Sequence, residues 1–146
     1  MNILFFITPK SEVEYLYDYY TIKEAIDKIE NNDYTSIPVI NEKGQYEFTI
    51  TEGDLLWKIK SNYENKKRGD KVEVIETLTI KDIDKYNDYK TVSANSNMEN
   101  LITLATNQNF IPVVDDQNIF IGIIKRSDII SYFNEKLNLE KSLKIS

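Results

Sequence analysis

The sequence predicts an α/β (α+β) protein made of two β-α-β-β-α half-units packed through their sheets into a pseudo-two-fold pair. Three observations carry that prediction. Displaced by 74 residues, Ile37-Pro38-Val39-Ile40-Asn41-Glu42 falls on Ile111-Pro112-Val113-Val114-Asp115-Asp116, and without a gap Gly44 meets Asn118, Ile50 meets Ile124 and Asp54 meets Asp128. Both copies share one grammar: an apolar run opened by X-Pro, a turn residue, a second apolar run, then a polar step into an amphipathic stretch. Upstream of each proline lies a helical spacing, Ile22, Ala25, Ile26 and Ile29 in one copy and Met98, Leu101, Ile102 and Ala105 in the other.

Taken in order, Val13 to Tyr19 reads as the first strand, and Thr21 caps the helix after it, with Glu24 completing a capping box. Proline fixes its own φ and biases its predecessor toward extended backbone, so Ile37-Pro38 and Ile111-Pro112 open strands. Gly44 and Asn118 tolerate the left-handed φ that a hairpin turn needs. Tyr46 to Ile50 alternates as a half-exposed strand, whereas Ile119 to Ile124 reads as a strand buried on both faces. The closing helices are expected over Leu55 to Asn62 and from Ile129 to about Leu143, and Lys90 to Ser93 is the strand that opens the second copy. Residues 61–71 are polar and charged and read as a linker; Val72 to Ile83 fits either a short helix or a strand. The expected boundaries are therefore 1–62 for the first repeat, 63–78 for a linker and 79–146 for the second repeat with its C-terminal helix.

Composition narrows the chemistry. A chain of 146 residues with no cysteine and no histidine lacks thiol and imidazole nucleophiles, Ser-His-Asp triads, redox pairs and the usual zinc ligands. Four glycines and no GxGxxG or P-loop spacing leave no Gly-rich phosphate loop, and no acid pair stands at a catalytic spacing. The formal charge of −6 disfavours nucleic acid polymers, which are held by Lys and Arg. Absence of a long apolar run or a signal-peptide pattern, together with absence of cysteine, leads to the expectation of a cytoplasmic protein with no membrane span.

The stretches Tyr34-Thr-Ser-Ile-Pro-Val-Ile40 through Thr51-Glu-Gly-Asp54, and Asn109-Phe-Ile-Pro-Val-Val114 through Gly122-Ile-Ile-Lys-Arg-Ser-Asp128, resemble the tandem cystathionine-β-synthase (CBS) domain pair. The resemblance spans nearly the whole chain. It implies a regulatory, non-enzymatic protein whose clefts bind adenosine-containing ligands, often as a homodimer, and whose output is association with a partner protein. In the family pattern Gly-h-h-Ser/Thr-x-x-Asp, the hydroxyl meets phosphate and the Asp takes ribose hydroxyls. The first copy keeps Thr51 and Asp54 but has Phe48 for the glycine; the second keeps Gly122 and Asp128 but has Lys125 for the hydroxyl. Tyr34, Ser36 and Ile37, with Asn109, Phe110 and Ile111, stand where the resemblance puts the backbone that contacts adenine.

Two readings attach to these residues. An ionised Asp accepts both hydroxyls of a ribose diol, a helix N-terminus offers N–H groups to an anion, and Lys125 and Arg126 add positive charge beside the second one. Equally, Thr51-Glu-Gly-Asp54 is a capping box and Asp128 a first-turn carboxylate. Phe110 and the two isoleucines serve as strand core on that plainer reading. Tyr15, Tyr17 and Tyr19 share one face of an extended strand, either to stack on a base or to pack on the protein. Lys66-Lys67-Arg68 reads as a solvated charge run, and Lys10 as a possible phosphate contact. The expected ligand is an adenine nucleotide (AMP, ADP, ATP or a cyclic dinucleotide such as cyclic di-AMP) acting as regulator, with no catalytic cofactor and no metal. The rival reading is a protein-interaction or dimerisation module with vestigial clefts.

Overall fold

The computed structural model describes residues 1–32, 34–84 and 88–145. Its strands are β1 (Ile7–Pro9), β2 (Leu16–Tyr17), β3 (Ser36–Ile40), β4 (Tyr46–Thr51), β5 (Phe110–Val114) and β6 (Phe120–Lys125). Its helices are α1 (Ile22–Asn32), α2 (Glu52–Arg68), α3 (Met98–Ala105) and α4 (Arg126–Ile145). They form two small sheets, ordered β2-β3-β4 and β1-β6-β5, so the expected α+β architecture is present. The chain divides into a central unit, Glu14–Tyr89, and a terminal unit, Met1–Val13 with Lys90–Ser146.

In the central unit the hairpin is set by its turn. Asn41 Oδ1 accepts the N–H groups of Lys43 (2.9 Å) and Gln45 (3.0 Å), and Gly44 takes φ 83°. β2 runs parallel to β3, with Leu16 beside Val39. α1 is capped as expected, Thr21 Oγ accepting the Glu24 N–H at 3.1 Å. Leu16, Ile22, Ala25, Ile37, Ile50 and Leu55 are buried together as the core.

Several boundaries differ from expectation. The first strand shrinks from Val13–Tyr19 to Leu16–Tyr17 because a turn closes on each side, Val13 N–H to Lys10 O and Tyr20 N–H to Tyr17 O. Residues 61–68 are helix rather than linker: α2 continues to Arg68 and stops at Gly69, whose φ of 78° gives it a left-handed cap. The chain then folds back on α2, where Asn62 and Glu73 exchange two hydrogen bonds (2.6 and 3.0 Å) and Lys58 pairs with Glu73 at 2.8 Å. Val72 to Ile83 becomes two 3-10 turns, Ile75–Thr77 and Ile80–Asp82. Ile80 and Ile83 are buried in the central core, so residues grouped by sequence with the second repeat pack with the first. β4 is also more buried than alternation suggested, with Glu47 its one exposed residue.

The terminal unit repeats the design at an offset of 74 residues. Asp115 Oδ1 accepts the N–H groups of Gln117 and Ile119, both at 2.9 Å, and Asn118 adopts φ 64°. Ile111 faces Ile124 as Ile37 faces Ile50, and each hairpin shifts register at the same place, between Val39 and Ile40 and between Val113 and Val114. The strand expected over Lys90 to Ser93 is a single bridge, Val92 to Val113, since a Ser93–Ser96 turn cuts it short.

An unanticipated strand completes this sheet. β1 pairs antiparallel with β6, Ile7 against Ile124 and Pro9 against Gly122, and the buried Ile3 and Phe6 anchor the segment. Burial of each such side chain stabilises by about 1.5–3 kcal/mol. A Cβ on Gly122 would lie 2.3 Å from Thr8 O and 3.0 Å from the Ile7 side chain. This explains why the second copy has glycine where the first has Phe48: β4 is a sheet edge, and Phe48 packs into the central core. β6 buries Phe120, Gly122 and Ile124 fully, while Ile121 and Ile123 on its other face are partly buried, Ile121 packing against the terminal core, against the expectation of full burial on both.

Two outcomes are expected. Gly122→Ala must push β1 off β6 and should cost about 1–3 kcal/mol or more in urea unfolding, as overpacked sites do. Burial pushes the Tyr46 phenol well above its ordinary range, with the Thr49 hydroxyl 2.7 Å away partly offsetting the effect. A raised folded pKa means that the stability is complete below about pH 10, the unfolded value, and is lost as pH rises beyond it. Tyr46→Phe should therefore be less stable at pH 8 by about 1 kcal/mol and close that gap above pH 10; a gap independent of pH contradicts this account.

Candidate functional site

The hairpin register brings one edge of each sheet to the start of the next helix. In the central unit Ser36 stands opposite Thr51 and Ile37 opposite Ile50, while the Glu52 N–H donates to Thr35 O at 3.0 Å. In the terminal unit Phe110 stands opposite Lys125 and Ile111 opposite Ile124, while the Arg126 N–H donates to Asn109 O at 3.0 Å. Both helices thus begin earlier than Leu55 and Ile129, at Glu52 and Arg126, because this backbone bond fixes their first residue.

Chemically the two sites diverge. Thr51 Oγ accepts the Asp54 N–H (3.2 Å), and Asp54 Oδ2 accepts both the Thr51 N–H (2.8 Å) and the Thr51 hydroxyl (3.0 Å). This is a closed capping box with Asp54 only 2% exposed, so its carboxylate faces Thr51 rather than solvent. In α4 the cap position is Lys125, which has no hydroxyl, and Asp128 is exposed in the first turn together with Lys125. Arg126 is half-buried and works inside the unit, its Nε donating to Ala105 O (2.7 Å) and its Nη1 to Asn109 Oδ1 (3.1 Å). The guanidinium thus holds the α3–β5 turn to the start of α4 and leaves a fixed positive charge beside that helix N-terminus.

Of the residues expected around a base, Ile37 and Ile111 lie in the cores of their units, and Phe110 is also buried. The Phe110 carbonyl accepts from Gln108 Nε2 at 3.2 Å. Ser36 is half-buried and Asn109 exposed. Tyr34 is 38% exposed and lines a groove of about 360 Å³ between α1 and α2, together with Glu30, Glu52 and Leu55.

Sequence reasoning missed Gln108. It is 5% exposed, exchanges hydrogen bonds with the Lys90 backbone (2.7 and 3.0 Å) and holds Phe110, so it positions the Asn109–Phe110 edge. It stands at the Tyr34-equivalent position within the polar run Thr106-Asn107-Gln108-Asn109, where nothing in the sequence sets it apart from its neighbours. The tyrosines pack on one another: Tyr17 and Tyr19 stack with centroids 5.1 Å apart, and Tyr15 meets Tyr17 edge-on. Lys66, Lys67 and Arg68 end α2, where Arg68 pairs with Asp70 and Lys67 lies over the Tyr63 ring. Lys10 is half-buried in the turn after β1. Among the described residues no cluster of Asp and Glu is able to hold a metal ion, and no helix is long and apolar enough to cross a membrane.

The CBS domain family model matches residues 7–61 and 80–135, which bracket both hairpins and both helix starts. The chain belongs to the CBS domain family. Among solved structures it is similar to a CBS domain protein from Streptococcus pneumoniae TIGR4, with 26% identity, a TM-score of 0.74, and coverage of 91% of this chain and 86% of that one. It is also similar to CbpB of Listeria monocytogenes in complex with c-di-AMP (19% identity, TM-score 0.75, covering 91% and 95%). A third likeness is to CBSX2 in complex with AMP (19%, TM-score 0.66, covering 92% and 96%). A comparison with curated protein sequences finds no significant match.

The capping box makes a prediction that needs no ligand. Thr51→Ala and Asp54→Ala should each lower stability by about 0.5–2 kcal/mol, and the double variant by less than the sum, because they break one box. Asp128→Ala should stay within about 0.5 kcal/mol of the parent in the same urea titration.

Proposed function

We propose that this CBS pair is a regulatory, non-enzymatic sensor that binds an adenine nucleotide and reports occupancy to a partner protein by association, as a homodimer in the cytoplasm. The observation that carries the reading is the start of α4, where an exposed Asp128 stands with Lys125 and Arg126 beside the Asn109–Ile111 edge. An exposed carboxylate accepts both hydroxyls of a ribose, and the two cations with the helix N-terminus suit its phosphate. Complexes of CbpB with c-di-AMP and of CBSX2 with AMP support an adenosine monophosphate unit as the common ligand chemistry. Signalling follows from differential affinity: a ligand that favours one arrangement of the chain or its dimer exposes or hides a surface for the partner.

A second reading, an interaction module, draws on one observation. In the first repeat Asp54 is buried and its Oδ2 accepts two hydrogen bonds from Thr51 within a capping box, which favours a structural role there.

Thermal unfolding with AMP, ADP, ATP, cyclic di-AMP and guanine counterparts distinguishes the two. Ligand at about 100 times its dissociation constant adds about 2.7 kcal/mol, a rise of several degrees for this length. Asp128→Ala should weaken binding about tenfold or more, the loss expected for charged hydrogen bonds worth about 1.5–3 kcal/mol. No shift with any adenine compound returns the protein to the interaction-module reading, and turnover of a nucleotide abolished by Asp128→Ala makes it an enzyme.

A further inference from the structure

We infer that the end of α4, residues 133–144, is a surface on which two copies of this chain meet as an antiparallel helix pair crossing at the level of Asn138. This rests on the homodimer named above and adds which element makes the contact and in which direction; it does not depend on the nucleotide.

α4 starts as part of the terminal unit, with Ile129 buried in the core and Tyr132 packed against it. From residue 133 to residue 144 every side chain is exposed, which is about three turns of helix. Phe133 is 39%, Leu137 59%, Leu139 61% and Leu143 68% exposed, so these turns place four large apolar side chains in water. A free helix of this length is marginal in water, and a contiguous apolar surface on it calls for a cover. The other repeat provides the contrast. At the offset of 74 residues Leu139 meets Asn65, and Leu143 meets Gly69, where α2 stops. Past Tyr63 α2 is all polar, and Asn62 ties it to Glu73. The leucines are therefore particular to α4, and the CBS match ends before them, at residue 135.

Charge selects both the occupant and its direction. Phe133, Lys136, Glu140 and Leu143 are spaced by three, four and three residues, which puts them on one stripe, with Leu137 along one side of it and Leu139 along the other. The stripe reads apolar, cation, anion, apolar, an order that is its own complement when reversed. Against an antiparallel copy, Phe133 lies opposite Leu143 and Lys136 opposite Glu140, and each pairing occurs twice. An in-register parallel copy sets Lys136 against Lys136 and Glu140 against Glu140, which repels. An unrelated protein would have to carry this order by coincidence, whereas a second copy carries it by identity.

Sedimentation equilibrium of the full chain over a range of concentrations tests the contact, and a monomer–dimer equilibrium is expected. Leu137→Glu combined with Leu139→Glu, both at exposed positions, should raise the dissociation constant about a hundredfold or more and leave the unfolding temperature of dilute protein unchanged. Lys136→Glu should raise it about tenfold, and addition of Glu140→Lys should restore it, because the two ion pairs re-form with their signs exchanged. The chain has no cysteine, so oxidation reads the direction: chains with Phe133→Cys mixed with chains with Leu143→Cys should form the mixed disulfide in preference to either chain with itself. A dimer untouched by the leucine changes, a charge exchange that fails to restore it, or a preference for like disulfides overturns this contact and leaves the homodimer reading standing. A parent chain that stays monomeric at every concentration overturns both.

Discussion

Everything at the candidate sites depends on how two hairpins turn. An Asx side chain at the first turn position, Asn41 or Asp115, gathers two backbone N–H groups, and a residue with positive φ, Gly44 or Asn118, brings the chain back. A one-residue slip in either turn would send every side chain of the returning strand to the opposite face. With the register fixed, Thr51 meets Ser36, Lys125 meets Phe110, and the carbonyls of Thr35 and Asn109 reach the first N–H of α2 and α4. The start of each helix, and with it the place of Asp54 and Asp128, follows from a turn seven to ten residues away.

On that shared frame the two repeats have different chemistry. In one, the hydroxyl and carboxylate satisfy each other and stabilise a helix; in the other, replacement of the hydroxyl by Lys125 leaves the carboxylate open to solvent. The same difference that removes a hydroxyl cap places a cation at the start of α4. Stability on the terminal side comes instead from Arg126, which holds the α3 carboxyl end, and from Gln108, which ties Lys90 to the strand edge.

Much of this was legible before any coordinates. The repeat, its offset, the turn residues, the cap at Thr21 and the paired positions of Asp54 and Asp128 are all local patterns, visible as residue types at short spacing. Capping and ligand readings of Thr51 and Asp54 were both open, and the hydrogen bonds show the cap formed. The end of α2 was misplaced because Ser61 to Arg68 is polar all round, as a solvated helix is, and a linker has the same composition. Gln108 went unnoticed because the Lys90 backbone it holds lies 18 residues away in the chain.

The sequence by itself determined the elements whose hydrogen bonds close within a few residues: the two hairpin turns and the cap at Thr21. Only the tertiary structure decided which segments complete which core. Met1 to Val13 joins the second repeat, and Ile80 and Ile83 join the first, against their order along the chain. The reason is physical. Burial of Ile3, Phe6 or Ile80 is non-directional, so their pattern says that they go inside and nothing about which sheet they cover. What selects the sheet is a steric fit between distant residues, such as the gap at Gly122 that admits the Thr8 backbone and that Phe48 fills in the other copy.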